Sequence, residues 1–259
     1  MMGGIMKGLL IFCLLFSGPV MARDLDAVTD WGQRVTLSTP VSGMIGHVNV
    51  SVGEQVSRGS ILIELDQRLY QTQLAAAESQ VEATSQEKDE ARRELDRSLE
   101  LYDRTLLSDH DRKLAEIEAA RTDAAFRKAD AELARIRINR EYSRITAPFD
   151  GIVEQIFVQT GQAVINRTQA TPLLSLCESG YMKVVSRIEE KLAAELKPGA
   201  SVQVGVRGQW MEGRLSLIGL QPVERDANGA KYTLEAVFDL PENLQLRAGE
   251  KAVLRLQDE

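Results

Sequence analysis

The stretch TAPFDGIVEQIFVQTGQAV, residues 146–164, has a counterpart far upstream in STPVSGMIGHVNVSVGEQV, residues 38–56. In each, a Pro (Pro40, Pro148) precedes a Gly by three residues (Gly43, Gly151). A second Gly (Gly53, Gly161) follows ten residues later, and a Val (Val56, Val164) three after that. The offset is 108 residues throughout, without a gap. Four structural residues at one spacing mark an internal repeat, and a repeat governs how everything around it is read.

Each copy reads as short strands. MIGHVNV and IVEQIFV alternate apolar and polar side chains imperfectly, as half-buried strands do. Ser-Gly and Asp-Gly turns precede them, and further apolar runs, ILIEL and PLLSLC, close each copy. A few short strands cannot bury two faces alone, whereas two facing copies can form a small sandwich.

Between the copies the chemistry changes. From Gln67 to about Tyr142 there is neither Gly nor Pro, and strong helix formers dominate. Tyr70, Leu74, Ala77, Val81, Thr84 and Lys88 begin a four-three spacing that runs through Ala91, Leu95 and Ser98 to Tyr102, the seam of a coiled coil. Leu114, Ile117, Ala124, Ala131 and Ile138 continue that period less cleanly. The break between them is YDRTLLSDHD, where Ser108 suits a helix N-cap and Asp111 the third helical position of a capping box. Asp109 and Asp111 then lie where the helix dipole favours negative charge. The segment 67–143 therefore reads as an antiparallel helical hairpin with its tip near Thr105 to Ser108. With roughly 35 residues per arm at ~1.5 Å each, it would reach about 50 Å. One small β-domain, 34–66 and 144–178, is cut in half, with the hairpin growing from the cut.

The rest, 179–257, is β-rich: SVQVGV and YTLEAVF alternate, and Asn228-Gly229 is a hairpin turn signal. IEEKLAAELKPG reads as a short amphipathic helix with Ile188, Leu192 and Leu196 on one face. A small barrel with one helix fits this pattern.

The net charge of −7 over 259 residues argues against nucleic acid as a partner. Residues 1–22 read as a cleaved signal peptide: Lys7, a short apolar run, then Val20 and Ala22 before the cut, with an uncleaved membrane anchor as the alternative. Past that leader only Cys177 remains, so no intramolecular disulfide can form, and its apolar run marks it as a small buried hydrophobe. His47 and His110 lie in different segments, no metal-ligand spacing occurs, and no phosphate-binding glycine pattern is present. No cofactor and no enzymatic activity are expected.

These residues carry a family likeness. TPVSGMIGHVNVSVGEQVSRGSILIELD and ITAPFDGIVEQIFVQTGQAV resemble the split lipoyl domain of periplasmic adaptor proteins, the HlyD-like membrane fusion proteins of tripartite efflux pumps. GYMKVVSRIEEKLAAELKPGASVQVGV and LRAGEKAVLRL resemble the β-barrel that follows it in that family. The likeness spans about 34–257. It implies a mainly β fold carrying a long α-helical hairpin. It implies a periplasmic adaptor that bridges an inner-membrane resistance-nodulation-division (RND) transporter and an outer-membrane channel of the TolC class for small-molecule efflux. Several copies would form a ring, and association with the inner membrane would come through partners. Only about a dozen residues lie between the expected cut and the first repeat, and the chain stops at Glu259, so the membrane-proximal domain of RND adaptors is expected to be missing. The family's tip motif, an Arg, a Leu four residues on and a Ser seven beyond, falls on Arg97, Leu101 and Ser108, and the resemblance assigns them to the channel contact. The alternatives are an adaptor of an ABC exporter or type I secretion system, and a lipoyl or biotinyl carrier domain. In IELDQRLY, Gln67 stands where a carrier lysine would follow Asp66, which argues against the last.

Overall fold

A computed structural model describes residues 23–166, 170–226, 229–241 and 244–256. The expected leader, residues 1–22, and the turn residue Asn228 lie outside them. The chain forms two units, residues 33–179 and a second made of the described residues up to Gly32 and from Gly180.

In the first unit, β2 (Arg34–Ser38), β3 (Gly43–Val48), β4 (Gln55–Val56) and β5 (Ile61–Leu65) form the first repeat copy. The second copy comprises β6 (Arg144–Thr146), β7 (Gly151–Ile156), β8 (Ala163–Val164) and β9 (Pro172–Glu178). They make two four-stranded sheets, β2-β9-β7-β4 and β6-β5-β3-β8, so each sheet takes strands from both copies. Around the two repeated glycines the interlock obeys the 108-residue offset, whereas β9 answers to β5 at an offset of 111. Gly53 N–H donates to the Val153 carbonyl at 2.8 Å, and its counterpart Gly161 N–H to the Ile45 carbonyl at 2.8 Å. Val153 N–H reaches Glu54 O at 3.0 Å, as Ile45 N–H reaches Gln162 O at 2.8 Å. Gly53 and Gly161 have φ of +87° and +86°, a left-handed turn open to glycine at little cost, which explains why both copies carry Gly there. Even the bulge repeats, between Ile45 and His47 and between Val153 and Gln155. Ile45, Leu62, Ile63, Leu65, Val153, Leu173, Leu174 and Leu176 fill the shared core and are essentially sealed from solvent.

From this unit extend α1 (Gln67–Asp103) and α2 (Asp109–Tyr142). Contacts between them run in opposite senses along the chain: Arg137 meets Glu78 at 3.4 Å, Lys88 stacks on the Phe126 ring at 4.1 Å, and Arg112 on Tyr102 at 5.0 Å. The seam of α1 contains buried Tyr70, Ala77, Thr84 and Ser98. On α2 the expected register is wrong. Leu114, Ile117 and Ile138 stand 52%, 62% and 48% exposed, while Thr122, Leu133 and Ile136 are buried. The inward side mixes large and small side chains, so residue size alone does not mark it. Ala115, Ala119, Ala125 and Ala129, all half-buried, belong to it as well.

The second unit is a closed six-stranded barrel, β1 (Arg23–Trp31), β10 (Tyr181–Glu189), β13 (Gly229–Asp239), β12 (Gln209–Asp226), β11 (Ser201–Val206) and β14 (Lys251–Leu256), in that order around the wall. The expectation that 179–257 suffices for the barrel needs correcting. β1 pairs with both β10 and β14 and closes the wall. Its inward side chains, Leu25, Ala27 and Thr29, are too small and mixed to announce a strand. The short helix α3 spans only Glu190–Glu195. Ile188, expected on it, belongs to β10 and points into the barrel core at 2% exposure with Val184, Leu234 and Leu254.

Candidate functional site

The residues assigned to the channel contact stand around the turn between α1 and α2. Arg97 lies on the outer surface of α1, its side chain 65% exposed and its guanidinium 2.9 Å from Glu94. Leu101 is half-buried one turn further on. Its carbonyl accepts the Leu106 N–H at 2.9 Å while Tyr102 O accepts the Thr105 N–H at 2.8 Å. That pair of bonds is a Schellman closure, whose left-handed residue is usually Gly. Here it is Thr105, at φ 60°. Ser108 caps α2: its hydroxyl accepts the Asp111 N–H at 3.1 Å and donates to Asp111 Oδ2 at 2.7 Å. The capping box is thus modified, because Asp111 takes the hydroxyl proton rather than a backbone N–H.

Three further residues shape this end. Leu106, 70% exposed, forms the apolar apex of the turn. Arg112 stacks on Tyr102 and pairs with Asp109 at 2.7 Å and with Glu116. The hydrogen bonds of Lys113 and Arg112 lower the Asp109 carboxyl from its ordinary value. Thr105 supplies the turn's conformation. The sequence reading placed the tip at Thr105 but passed over Leu106 and Arg112, although a Leu pair inside a highly charged turn was a visible signal.

Exposure along the helices is uneven. Leu99, Tyr102, Leu106, Leu114 and Ile117 are all more than a third exposed and all flank the turn. Among the described residues, no large hydrophobic side chain is comparably exposed between 70 and 98 or between 118 and 137. The shaft carries ion pairs instead, such as Arg93–Glu90 at 2.5 Å, Arg121–Glu118 at 3.3 Å and Arg135–Glu132 at 2.5 Å.

At the other end stands Gln67, the residue expected where a carrier domain would have its lysine. Its amide nitrogen donates to Leu65 O at 2.9 Å and to Ser143 Oγ at 2.8 Å, stitching the start of α1 to the end of α2. Cys177 is fully buried, and burial pushes its thiol up to about 11, far from a reactive thiolate.

Residues 33–176 match the family model described as RND MFP, barrel-sandwich hybrid domain, MFP denoting membrane fusion protein. The chain belongs to this family. Among its relatives is macrolide export protein MacA of Yersinia pestis, 31% identical over 198 residues that cover 71% of this chain and 52% of MacA. Multidrug resistance protein MdtA of Yersinia enterocolitica is 29% identical over 156 residues, 60% of this chain and 35% of MdtA. The chain thus spans about half or less of the length of these curated relatives. The fold is shared with the membrane fusion protein Spr0693 of Streptococcus pneumoniae, with a TM-score of 0.73 at 16% identity over 92% of this chain and 99% of that one. A MacA–MexA chimera bearing the Pseudomonas aeruginosa MexA α-hairpin gives 0.72 at 20% identity, covering 93% and 83%. Membrane fusion proteins are adaptors that oligomerise and work with inner-membrane transporters and outer-membrane channels. No helix among the described residues of this member is long and apolar enough to cross a membrane.

Proposed function

We propose that this membrane fusion protein is the non-enzymatic periplasmic adaptor of a tripartite efflux pump. It would join an inner-membrane RND transporter to an outer-membrane channel of the TolC class and export small molecules. α1 and α2 act as a coiled-coil hairpin whose turn end docks on the channel, and several copies close into a ring. The name of the matched family favours the RND class of transporter. The observation that carries the docking role is the gathering of exposed apolar side chains at the turn, Leu99, Tyr102, Leu106, Leu114 and Ile117, against a shaft covered by ion pairs. Apolar groups left exposed gain nothing from folding, and a gathering of them at one place marks a contact surface. Arg97 beside them offers paired, charge-assisted hydrogen bonds once it exchanges Glu94 for a channel carbonyl or carboxylate. Repetition around a ring multiplies a weak contact through avidity.

The test is export by Arg97→Asp, with Arg121→Asp as the shaft control, since Arg121 has the same single-carboxylate pairing at Glu118. Arg97→Asp is expected to abolish resistance and cross-linking to the channel at normal protein abundance, whereas Arg121→Asp retains both. Lys88 is unsuitable as the control because it stacks on Phe126 within the seam. Normal export by Arg97→Asp would sink the docking role.

A further inference from the structure

The two repeat copies share much of their backbone but differ on their surfaces at the root of α1. At the root of α1 lies a cleft of about 670 Å³, lined by Met44, Arg68, Leu69, Tyr70, Val164 and Ile165 among others. Three of these are large apolar side chains well exposed to solvent: Met44 at 54%, Leu69 at 59% and Ile165 at 64%. The 108-residue offset provides an internal control for whether the fold needs them. The counterparts of Ala163, Val164 and Ile165 are Gln55, Val56 and Ser57. Both short strands pair alike, Ala163 with Met44 and Gln55 with Ile152, so the same ladder is built with polar residues at the exposed positions of the other copy. Val164 is buried in β8 and Val56 half-buried in β4, so that position serves the core in both. The ladder of β8 therefore does not require apolar side chains at Ala163 and Ile165. Exposed apolar residues placed where a polar pair suffices, around a concavity, are the signature of a surface that gets covered.

The shape and the polar groups say by what. A volume of this size falls in the range of small-molecule pockets, roughly 300–1,000 Å³. Its walls are mainly apolar, and one charged pair stands among its lining residues. Asp66 accepts Arg68 Nε at 3.0 Å and Nη2 at 2.5 Å, which neutralises the carboxylate and fixes the guanidinium. Arg68 Nη1 has no partner among the described residues, and the side chain is 89% exposed. A held donor beside apolar walls, with no net charge, selects an uncharged ligand with a hydrogen-bond acceptor.

We infer that the cleft at the root of α1 is a binding site for an uncharged, largely apolar small molecule carrying an acceptor oxygen, with Met44, Leu69 and Ile165 enclosing its body and Arg68 meeting its oxygen. The site stands on the cavity and on the comparison of the two copies, independently of the adaptor role.

Nile red, an uncharged apolar dye with one carbonyl acceptor, is the probe. Titrated into the full-length protein, it should bind saturably at one site per chain with enhanced emission. The double variant Ala163→Gln/Ile165→Ser copies the other repeat's residues, so it preserves the fold, and it should weaken binding at least about tenfold. Arg68→Met should weaken binding several-fold and shift the emission to the blue as the carbonyl loses its donor. Leu220→Gln, at a 96% exposed apolar side chain on the barrel, should change nothing. The inference is overturned if the wild type does not bind the dye, or if the double variant or Arg68→Met binds it as the wild type does. It is equally overturned if the double variant keeps the dye but loses an oligomer seen by sedimentation, for the cleft is then a contact between copies.

Discussion

Thr105 adopts φ 60° at the end of α1, where a β-branched side chain crowds its own backbone. Nothing nearby demands the threonine: its hydroxyl reaches only the Arg104 carbonyl, at 2.6 Å. Replacing it with glycine removes the steric cost of the left-handed conformation, about 1 kcal/mol, partly offset by the greater freedom of the unfolded chain. Thr105→Gly is therefore expected to raise the midpoint of helix melting, followed at 222 nm, by a few degrees. A lowered midpoint would show that the threonine stabilises the turn. Single residues elsewhere explain why the chain is chemically quiet. Cys177 is sealed in a core strand, and Gln67 spends its amide on Leu65 and Ser143.

Among the elements, α1 and α2 illustrate how far a periodic pattern can be trusted. The reading of α1 succeeded because its apolar and small residues fall on the same stripe, from buried Tyr70 and Ala77 to Thr84 and Ser98. On α2 the two cues separate. Leu114, Ile117 and Ile138 lie on one stripe, whereas Thr122, Leu133 and Ile136 lie on another, and the helix turns the second toward α1. Packing decides this, since Leu133 and Ile136 close over Ala77 of α1 with Leu74 and Val81 beside it. Leu133 packs with Ala77 and Ile136 and should cost about 2–4 kcal/mol when cut to alanine. Ile117, 62% exposed, should cost under about 0.5 kcal/mol. Melting at 222 nm of Leu133→Ala and Ile117→Ala separates the two registers. Equal losses would restore the sequence-based one. The expression of both variants also bears on function, because Ile117 belongs to the exposed set near the turn and its loss should weaken export while sparing stability.

At the scale of the whole molecule, two cores stand in two units, and both tryptophans, Trp31 and Trp210, belong to the barrel. Tryptophan emission thus reports the barrel, while the signal at 222 nm is dominated by α1 and α2. Thr29 tests the closure of the barrel. It is 1% exposed, and its hydroxyl donates to Arg247 O at 2.7 Å and accepts Glu250 N–H at 3.0 Å, tying β1 to the entrance of β14. Thr29→Val keeps the shape but takes the partner from the Arg247 carbonyl and the Glu250 N–H in part-buried bonds, a loss of about 1–3 kcal/mol. The tryptophan transition should move down by several degrees, with the 222 nm transition unmoved. A shift of both together would mean that the units melt as one.

What the sequence by itself determined was everything written in local or repeated form. The 108-residue spacing of Pro, Gly and Val dictated two equivalent sets of short strands, because a left-handed glycine turn and a bulge recur only where the same backbone recurs. A long run free of Gly and Pro dictated helices, and Ser108 their restart. What only the tertiary structure decided was every choice among distant partners. β1 has unremarkable side chains, and its place between β10 and β14 follows from the two open edges that it satisfies, far away in the chain. The facing side of α2 follows from which of its side chains pack on Ala77, Leu74 and Val81 of α1. The apolar cleft at the root of α1 joins β3, β8 and the first turns of α1, three segments that no local pattern connects. Backbone hydrogen bonds must be paired wherever they are buried, and that requirement is met by whichever edge lies within reach in space rather than in sequence.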